Sequence, residues 1–153
     1  MTKVQYQTEI NAPVQRVYEY YTNPNNIQEA WPHDIVKESE DVSGSKNEEG
    51  SEMRVKGQYM GKEEMRLQVV DKEENRRLVT KQIQGPFKRW DSIQEFHGNG
   101  TNTTQIKHSI DFELPTTGKI ANMLIGSQAD NKIREALEQA AQTVKQKLES
   151  GQA

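Results

Sequence analysis

The sequence contains no cysteine among its 153 residues. This absence excludes disulfides, thiolate nucleophiles and cysteine-ligated metal sites. The three histidines, His33, His97 and His108, do not have the spacing of metal ligands, and no glycine-rich phosphate loop precedes a predicted helix. We therefore expect neither a metal site nor a cofactor.

Long apolar runs are also absent. No stretch approaches the ~20 residues that a membrane span requires, and the N-terminus lacks the apolar core of a signal peptide. The net charge is -3, so the chain lacks the overall basic character that the phosphate backbone of a nucleic acid attracts. These observations predict a cytoplasmic protein with no integral membrane segment and no nucleic-acid partner.

Hydrophobic residues make up 32% of the chain and charged residues 28%, but the hydrophobic residues are regularly spaced. Period-two alternation from Val4 to Ile10 predicts a first strand. Two short helices are predicted next, one from near Pro13 and one from Ile27 to about Trp31. Alternation and hairpin turns then predict six more strands, at residues 35–42, 53–59, 65–69, 78–83, 90–96 and 106–114.

A long C-terminal helix is predicted from residue 118 to about Glu149, because apolar residues recur there at helical spacing. The stripe consists of Ile120, Met123, Leu124, Ile133, Leu137, Ala140, Ala141, Val144 and Leu148. The segment from Gly126 to Asp130 is weakly apolar, which fits a kink, a close approach to the sheet, a cavity wall or a plain surface segment. The length of the chain suits one domain, which we place at residues 1–150.

This order of elements predicts an α+β protein, a curved antiparallel sheet of six to seven strands with two short helices and a long C-terminal helix. One face of such a sheet must be covered. A single helix about 10 Å wide cannot fill the concave face completely. We therefore expect a cavity between helix and sheet, in the usual range of ~300–1,000 Å³ for small-molecule sites.

The sequence also resembles the SRPBCC superfamily, which includes START domains, pollen-allergen-like proteins, and polyketide cyclase/dehydrase and lipid-transport proteins. The resemblance is carried by INAPVQRVYEY at residues 10–20, TNPNNIQEAWP at 22–32, Gly100-Thr101, and FELP at 112–115. It spans nearly the whole chain and implies the helix-grip fold with a hydrophobic ligand cavity. Catalytic residues differ between the branches of this superfamily, so the resemblance assigns none here.

His108 lies between Ile106 and Ile110 on an apolar face. It is a candidate catalytic acid or base, or a hydrogen-bond partner for a ligand. The commoner alternative is a histidine paired to a neighbour in the core. Gln94 and Ser92 share a face with Trp90 and Phe96, and would be buried polar groups if that face points inward. A rival register turns Phe87, Arg89, Asp91 and Ile93 inward instead.

Further candidate ligand-binding residues come from several elements. Trp31 follows the second short helix and is expected near a cavity mouth. Methionines adapt to irregular shapes and suit both a pocket and an ordinary core. The full predicted ligand-binding set is Trp31, Met53, Tyr59, Met65, Leu67, Trp90, Gln94, His108 and Met123.

Three kinds of function are compatible with these features. The leading hypothesis is binding or transport of a small hydrophobic ligand, such as a lipid-, polyketide- or quinone-like molecule. An enzyme of the polyketide cyclase/dehydratase type is the second, and it requires several convergent polar groups, of which the sequence offers few. An interaction protein associated with chaperones or ribosomes is the third. The resemblance implies a monomer or weak homodimer.

Overall fold

The computed structural model describes residues 2–32, 35–42, 48–57, 64–114 and 128–151. The strands are β1 (Thr2–Ile10), β2 (Glu38–Asp41), β3 (Glu52–Lys56), β4 (Met65–Glu73), β5 (Arg77–Gln84), β6 (Arg89–Gly98) and β7 (Thr104–Glu113). The α-helices are α1 (Val14–Thr22), α2 (Ile27–Ala30) and α3 (Gln128–Glu149), with a 3-10 turn at Pro24–Asn26.

The strands form one antiparallel sheet in the order β1-β7-β6-β5-β4-β3-β2. With the long C-terminal helix α3, this curved sheet is the predicted helix-grip architecture, and the predicted fold class is confirmed. No helix in the described part of the chain has the length and apolar character of a membrane span.

The pairing register places two rows of side chains across the inner face of the sheet. In one row, Tyr6 is opposite His108, His108 is opposite Gln94, and Gln94 is opposite Leu78. In the neighbouring row, Val4, Ile110, Ser92 and Thr80 follow one another across the same four strands. Side chains alternate between the two faces of a strand, so these residues all point toward the helix.

Helix α3 covers this inner face with an apolar stripe. The stripe contains Ile133, Ala136, Leu137, Ala140, Ala141, Val144 and Leu148, all buried. Polar contacts fix the C-terminal half of the helix against β1. Lys145 Nζ donates to the Glu9 carbonyl oxygen at 2.6 Å, and Gln142 Nε2 donates to the Tyr6 hydroxyl at 2.6 Å. These contacts join the C-terminal half of the helix to β1 at the surface.

Two clusters of buried hydrophobic side chains lie under the helices. One contains Phe87, Ile110 and Phe112, and the other contains Val17 and Phe96. Tyr6 and Trp31 pack against both clusters. The interior is therefore a single continuous apolar region that reaches from the β6–β7 strands to the short helices.

Helix α2 is tied to β2 by the buried side chain of Ser39. The Ser39 hydroxyl donates to the Pro24 carbonyl at 2.5 Å and accepts from the Gln28 backbone N–H at 3.0 Å. The Gln28 side-chain oxygen accepts the Ser39 backbone N–H at 3.1 Å. This reciprocal pair fixes the position of α2 and of Trp31, the residue that follows it.

Several element boundaries differ from the sequence-based prediction. The strand predicted at 35–42 is limited to Glu38–Asp41, because the chain at Ile35 and Val36 hydrogen-bonds back to Pro32. The hairpin tip predicted from Asp71 to Asn75 is shorter, since β4 continues to Glu73. Asn75 takes φ +63° there, a conformation that asparagine tolerates well.

Gly57 is required by a close approach of two backbone segments. A Cβ atom at this position would lie 1.8 Å from the carbonyl oxygen of Ile35. No side chain fits there without displacing the backbone, so glycine allows the segment that contains Ile35 and Val36 to pack directly against the end of β3.

Candidate ligand cavity

A cavity of about 130 Å³ lies between the sheet and helix α3. The sheet contributes Met53, Val55, Met65, Leu67, Leu78, Thr80, Trp90, Ser92, Gln94, His108 and Ile110. Helix α3 contributes Ile133, Ala136, Ala140, Ala141 and Val144, and the short helices and loops contribute Tyr20, Tyr21, Asn26, Ile27, Ala30, Trp31, Ile35, Val36 and Phe87. The lining is mainly apolar, as in most small-molecule sites.

The cavity is smaller than the range expected from the sequence. Large aromatic side chains, among them Trp31, Phe87 and Trp90, occupy part of the space between helix and sheet. The alanines of α3, at positions 136, 140 and 141, keep the remainder open because their side chains are short. An engineered protein cavity of about 150 Å³ binds benzene, so this cavity has the volume for a ligand about one ring in size.

His108 and Ser92 form a buried polar pair in the cavity wall. His108 Nε2 and Ser92 Oγ share a hydrogen bond of 2.8 Å. Burial lowers the pKa of His108 from 6.5 to about 3, because charging an imidazole away from water is unfavourable. The imidazole is therefore uncharged near neutral pH. The hypothesis that His108 pairs with a neighbouring side chain is confirmed.

Trp31 packs over His108 on the side of the short helices. The two ring centroids are 6.2 Å apart and the rings are nearly perpendicular, at 84°. Trp31 directly follows α2, whose position is fixed by Ser39 and Gln28. The location of Trp31 over the histidine therefore depends on a hydrogen-bonded link outside the cavity.

Phe87, Trp90 and Phe112 form a cluster of aromatic rings, of which Phe87 and Trp90 line the cavity. The centroids of Phe87 and Trp90 are 4.7 Å apart, and Phe112 lies about 6 Å from both. The Gln82 side-chain amide fixes the loop that holds Phe87. Its Nε2 donates to the Phe87 carbonyl at 2.7 Å, and its Oε1 accepts the Phe87 N–H at 3.2 Å.

The structure resolves which face of β6 points inward. Trp90, Ser92 and Gln94 line the cavity. On the opposite face, Arg89 forms ion pairs with Asp91 at 2.5 Å and Asp111 at 2.8 Å. The rival register is therefore wrong for Arg89, Asp91 and Ile93. Phe87 is nevertheless buried in the cavity wall, because it lies in the loop before β6 rather than on the strand.

Seven of the predicted ligand-binding residues line the cavity together: Trp31, Met53, Met65, Leu67, Trp90, Gln94 and His108. Tyr59 and Met123 lie outside the described residues. The role of the seven in ligand binding stays a prediction, but their common location is a structural result.

Tyr21 is a cavity residue that sequence reasoning did not select. It lines the cavity and packs edge-on against Phe96, with ring centroids 5.7 Å apart. Its hydroxyl is buried and has no hydrogen-bond partner among the described residues. In the sequence, Tyr21 follows Val14, Val17 and Tyr18 at helical spacing. The polar hydroxyl of a tyrosine at an apolar position could have indicated a special role, because a buried hydroxyl normally has a hydrogen-bond partner.

The family model for polyketide cyclase/dehydrase and lipid-transport proteins matches residues 1–149. The chain belongs to this family. The SRPBCC and START-like resemblance is thereby confirmed, and a small hydrophobic ligand is typical of such proteins. No curated protein matches the chain significantly.

Solved structures show the same fold as this family member. A protein from Thermus thermophilus has a TM-score of 0.77 and 20% identity, with 99% of this chain and 100% of the other covered. A START superfamily protein from Mycobacterium smegmatis has a TM-score of 0.76 and 16% identity, with 97% of each chain covered. A protein of the dynemicin biosynthetic locus has a TM-score of 0.66 and 17% identity, with 97% of this chain and 48% of the other covered.

Proposed function

We propose that the protein binds a small, largely apolar molecule in the cavity under α3. The observation that carries this proposal is the cavity of about 130 Å³, lined by apolar side chains and a few polar ones. A dense core would exclude such a space, because protein interiors normally pack without voids larger than a water molecule. Family membership supports the proposal, since the family is described by both cyclase/dehydrase and lipid-transport activities.

Proton-transfer catalysis is the second candidate, and the His108–Ser92 pair is the observation in its favour. A general base works best when its pKa lies near the operating pH. Burial lowers the pKa of His108 to about 3, so its imidazole is a weak proton acceptor at neutral pH. The pair is better suited to orienting a ligand than to removing a proton from it, and we therefore favour binding over catalysis.

Both tryptophans of the chain, Trp31 and Trp90, line the cavity, so intrinsic fluorescence reports directly on its occupancy. We expect saturable changes in tryptophan emission when single-ring apolar compounds such as toluene or ethylbenzene are titrated into the protein. Ala140→Leu should abolish this response, because the longer side chain of α3 fills the space that a ligand would occupy.

Gln139→Leu is the matched control, since it introduces the same side chain at an exposed position of the same helix. This variant should retain the full response. The proposal is wrong if the unmodified protein shows no saturable response, or if Ala140→Leu, with an unchanged circular dichroism spectrum, responds as strongly as Gln139→Leu.

A further inference from the structure

The outer face of the sheet, which points away from the cavity, carries aliphatic side chains near its centre. Ile93 on β6 keeps 37% of its surface exposed, and the half-buried Val79 lies directly opposite it on β5. In β4 the exposed Val70 adjoins Val79 where the ladder shifts register. Outer faces of antiparallel sheets are usually polar because they meet water. Adjacent aliphatic side chains at this position therefore indicate a contact surface.

A row of four charged residues crosses the same face beside this apolar centre. It runs through β4, β5, β6 and β7, and its members lie directly opposite one another: Glu73, Arg77, Glu95 and Lys107. Their charges alternate as negative, positive, negative and positive. When such a row is read from its other end, every position has the opposite sign. The row is therefore complementary to a reversed copy of itself.

The alternating charges are not used to join neighbouring strands within one molecule. Arg77 pairs with Asp71 at 2.6 Å rather than with Glu95. Glu95 and Lys107 lie directly opposite each other, but neither forms an ion pair with a described residue. Cross-strand pairing inside the chain therefore does not account for the pattern, and both of these charges are available to a partner.

We infer that this face binds a second copy of the chain in a symmetric dimer, whose two-fold axis runs parallel to the strands between β5 and β6. In this arrangement β5 of one protomer lies over β6 of its partner, and β4 lies over β7. Arg77 then meets Glu95 of the partner subunit. Lys107 likewise meets Glu73 of the partner subunit. The two-fold symmetry makes each contact occur twice.

The row on the other side of the apolar centre fits the same symmetry. Lys81 lies directly opposite Asp91, so in the dimer it meets Asp91 of the partner subunit. Lys81 has no ion pair among the described residues, whereas Asp91 is paired with Arg89. Between the two rows, Val79 and Ile93 of both protomers form the apolar centre. Complementary charges around such a centre fix the register and orientation of a dimer more than they add affinity.

The size of this face predicts a weak dimer. Four strands spaced about 4.8 Å apart and three rows of side chains cover about 20 by 20 Å, or about 400 Å² on each copy. Stable complexes bury about 1,200–2,000 Å² in total, so about 800 Å² corresponds to a dimer that forms only at high protein concentration. The face lies on the opposite side of the sheet from the cavity, and the inference is therefore independent of the proposed ligand.

Sedimentation equilibrium at protein concentrations from about 10 µM to about 1 mM tests the dimer. The average mass of the unmodified protein should rise from that of one chain toward twice that value. Arg77→Glu places two carboxylates opposite each other at both symmetry-related contacts, and Glu95→Arg places two guanidinium groups there. Each variant alone should dimerise about ten-fold more weakly or less, because like charges repel. Glu138→Arg, at an exposed site of α3, is the matched control and should leave the dimer unchanged.

An equimolar mixture of Arg77→Glu and Glu95→Arg identifies the contact surface. In a mixed dimer the introduced carboxylate of the first variant faces the introduced guanidinium of the second, and the unchanged residues at the two positions also form an unlike pair. The mixture should therefore dimerise at least as tightly as the unmodified protein. Destabilisation of a single chain cannot produce such a rescue.

The inference is overturned if the unmodified protein stays monomeric up to about 1 mM. It is also overturned if neither charge reversal weakens the dimer, or if the mixture of the two variants associates no better than each variant alone. The proposed ligand binding stands in all of these cases, because the fluorescence titration tests it separately.

Discussion

His108 is a buried histidine that folding keeps neutral. Its pKa falls from 6.5 to about 3 in the folded state, so between these values the unfolded chain binds a proton that the folded chain does not. The free energy of unfolding must then decrease as the pH falls through this window, by up to about 1.4 kcal/mol per pH unit from this group. Well above pH 6.5 the imidazole is neutral in both states, and the same group causes no pH dependence.

We predict that His108→Gln makes stability less dependent on pH between 6.5 and 3, because glutamine does not titrate. Urea unfolding at a series of pH values measures this directly. The control is His97→Gln on the same sheet, where the side chain is exposed. An unchanged pH slope in His108→Gln would contradict the assignment of a neutral buried imidazole.

The sequence placed His108 on the inner face but could not identify its partner. Alternation with Ile106 and Ile110 was sufficient for the face. The choice of Ser92 depends on the register between β6 and β7, and a shift of one residue would turn Ser92 outward. The sequence therefore left the inward face of β6 open, whereas the ion pairs of Arg89 with Asp91 and Asp111 mark the outer face in the structure.

At the scale of secondary-structure elements, Ser39 joins β2 to the short helices. Its hydroxyl both donates to Pro24 and accepts from Gln28 while almost fully buried. We predict that Ser39→Ala lowers the free energy of unfolding by about 1–3 kcal/mol, because it leaves a buried carbonyl and a partly buried N–H without their partner. Urea unfolding at pH 7 is the measurement.

Ser150→Ala provides the comparison for this variant. Its hydroxyl donates to the Lys147 carbonyl at an exposed site at 3.3 Å, so its loss should change stability by less than about 0.5 kcal/mol. If the two variants are equally stable, the link between β2 and α2 does not contribute as we describe.

The sequence predicted the helices and strands more reliably than the shape and volume of the cavity between them. Period-two and helical spacing indicated the strands and the two short helices, and proline and asparagine marked the breaks. The volume of the cavity depends on how Trp31, Phe87 and Trp90 orient, which no spacing specifies. The place of the Tyr21 side chain in the cavity wall depends likewise on the rotation of α1 about its axis, which helical spacing defines only approximately.

At the scale of the whole molecule, the strand order puts β7 in the interior of the sheet and β2 at an edge. Strand β7 is flanked by β1 and β6, and its residues Ile106, His108 and Ile110 are buried. Strand β2 has four residues and one neighbour in the sheet. Resistance to local opening increases with burial and with hydrogen bonds on both sides of a strand.

We predict that amide hydrogen exchange is slowest in β7, where it requires global unfolding. The Glu38–Asp41 amides should exchange orders of magnitude faster through local opening. The measurement is native-state amide exchange, followed by NMR at a series of urea concentrations below the unfolding transition. Protection of β2 equal to that of β7 would show that the sheet opens as a single unit.

The pairing of β1 with β7 also affects when the chain can fold during translation. Strand β1 ends at Ile10, and the strand beside it begins at Thr104. At ribosomal speeds of about 5–20 residues per second, roughly 5–20 s pass between the synthesis of β1 and the synthesis of β7. Val4 and Ile10, buried in the finished protein, remain in contact with water or with a chaperone during that interval. Helix α3 is synthesised after all of the strands. Because the cavity lies between the sheet and this helix, the nascent chain cannot enclose a ligand before synthesis is nearly complete.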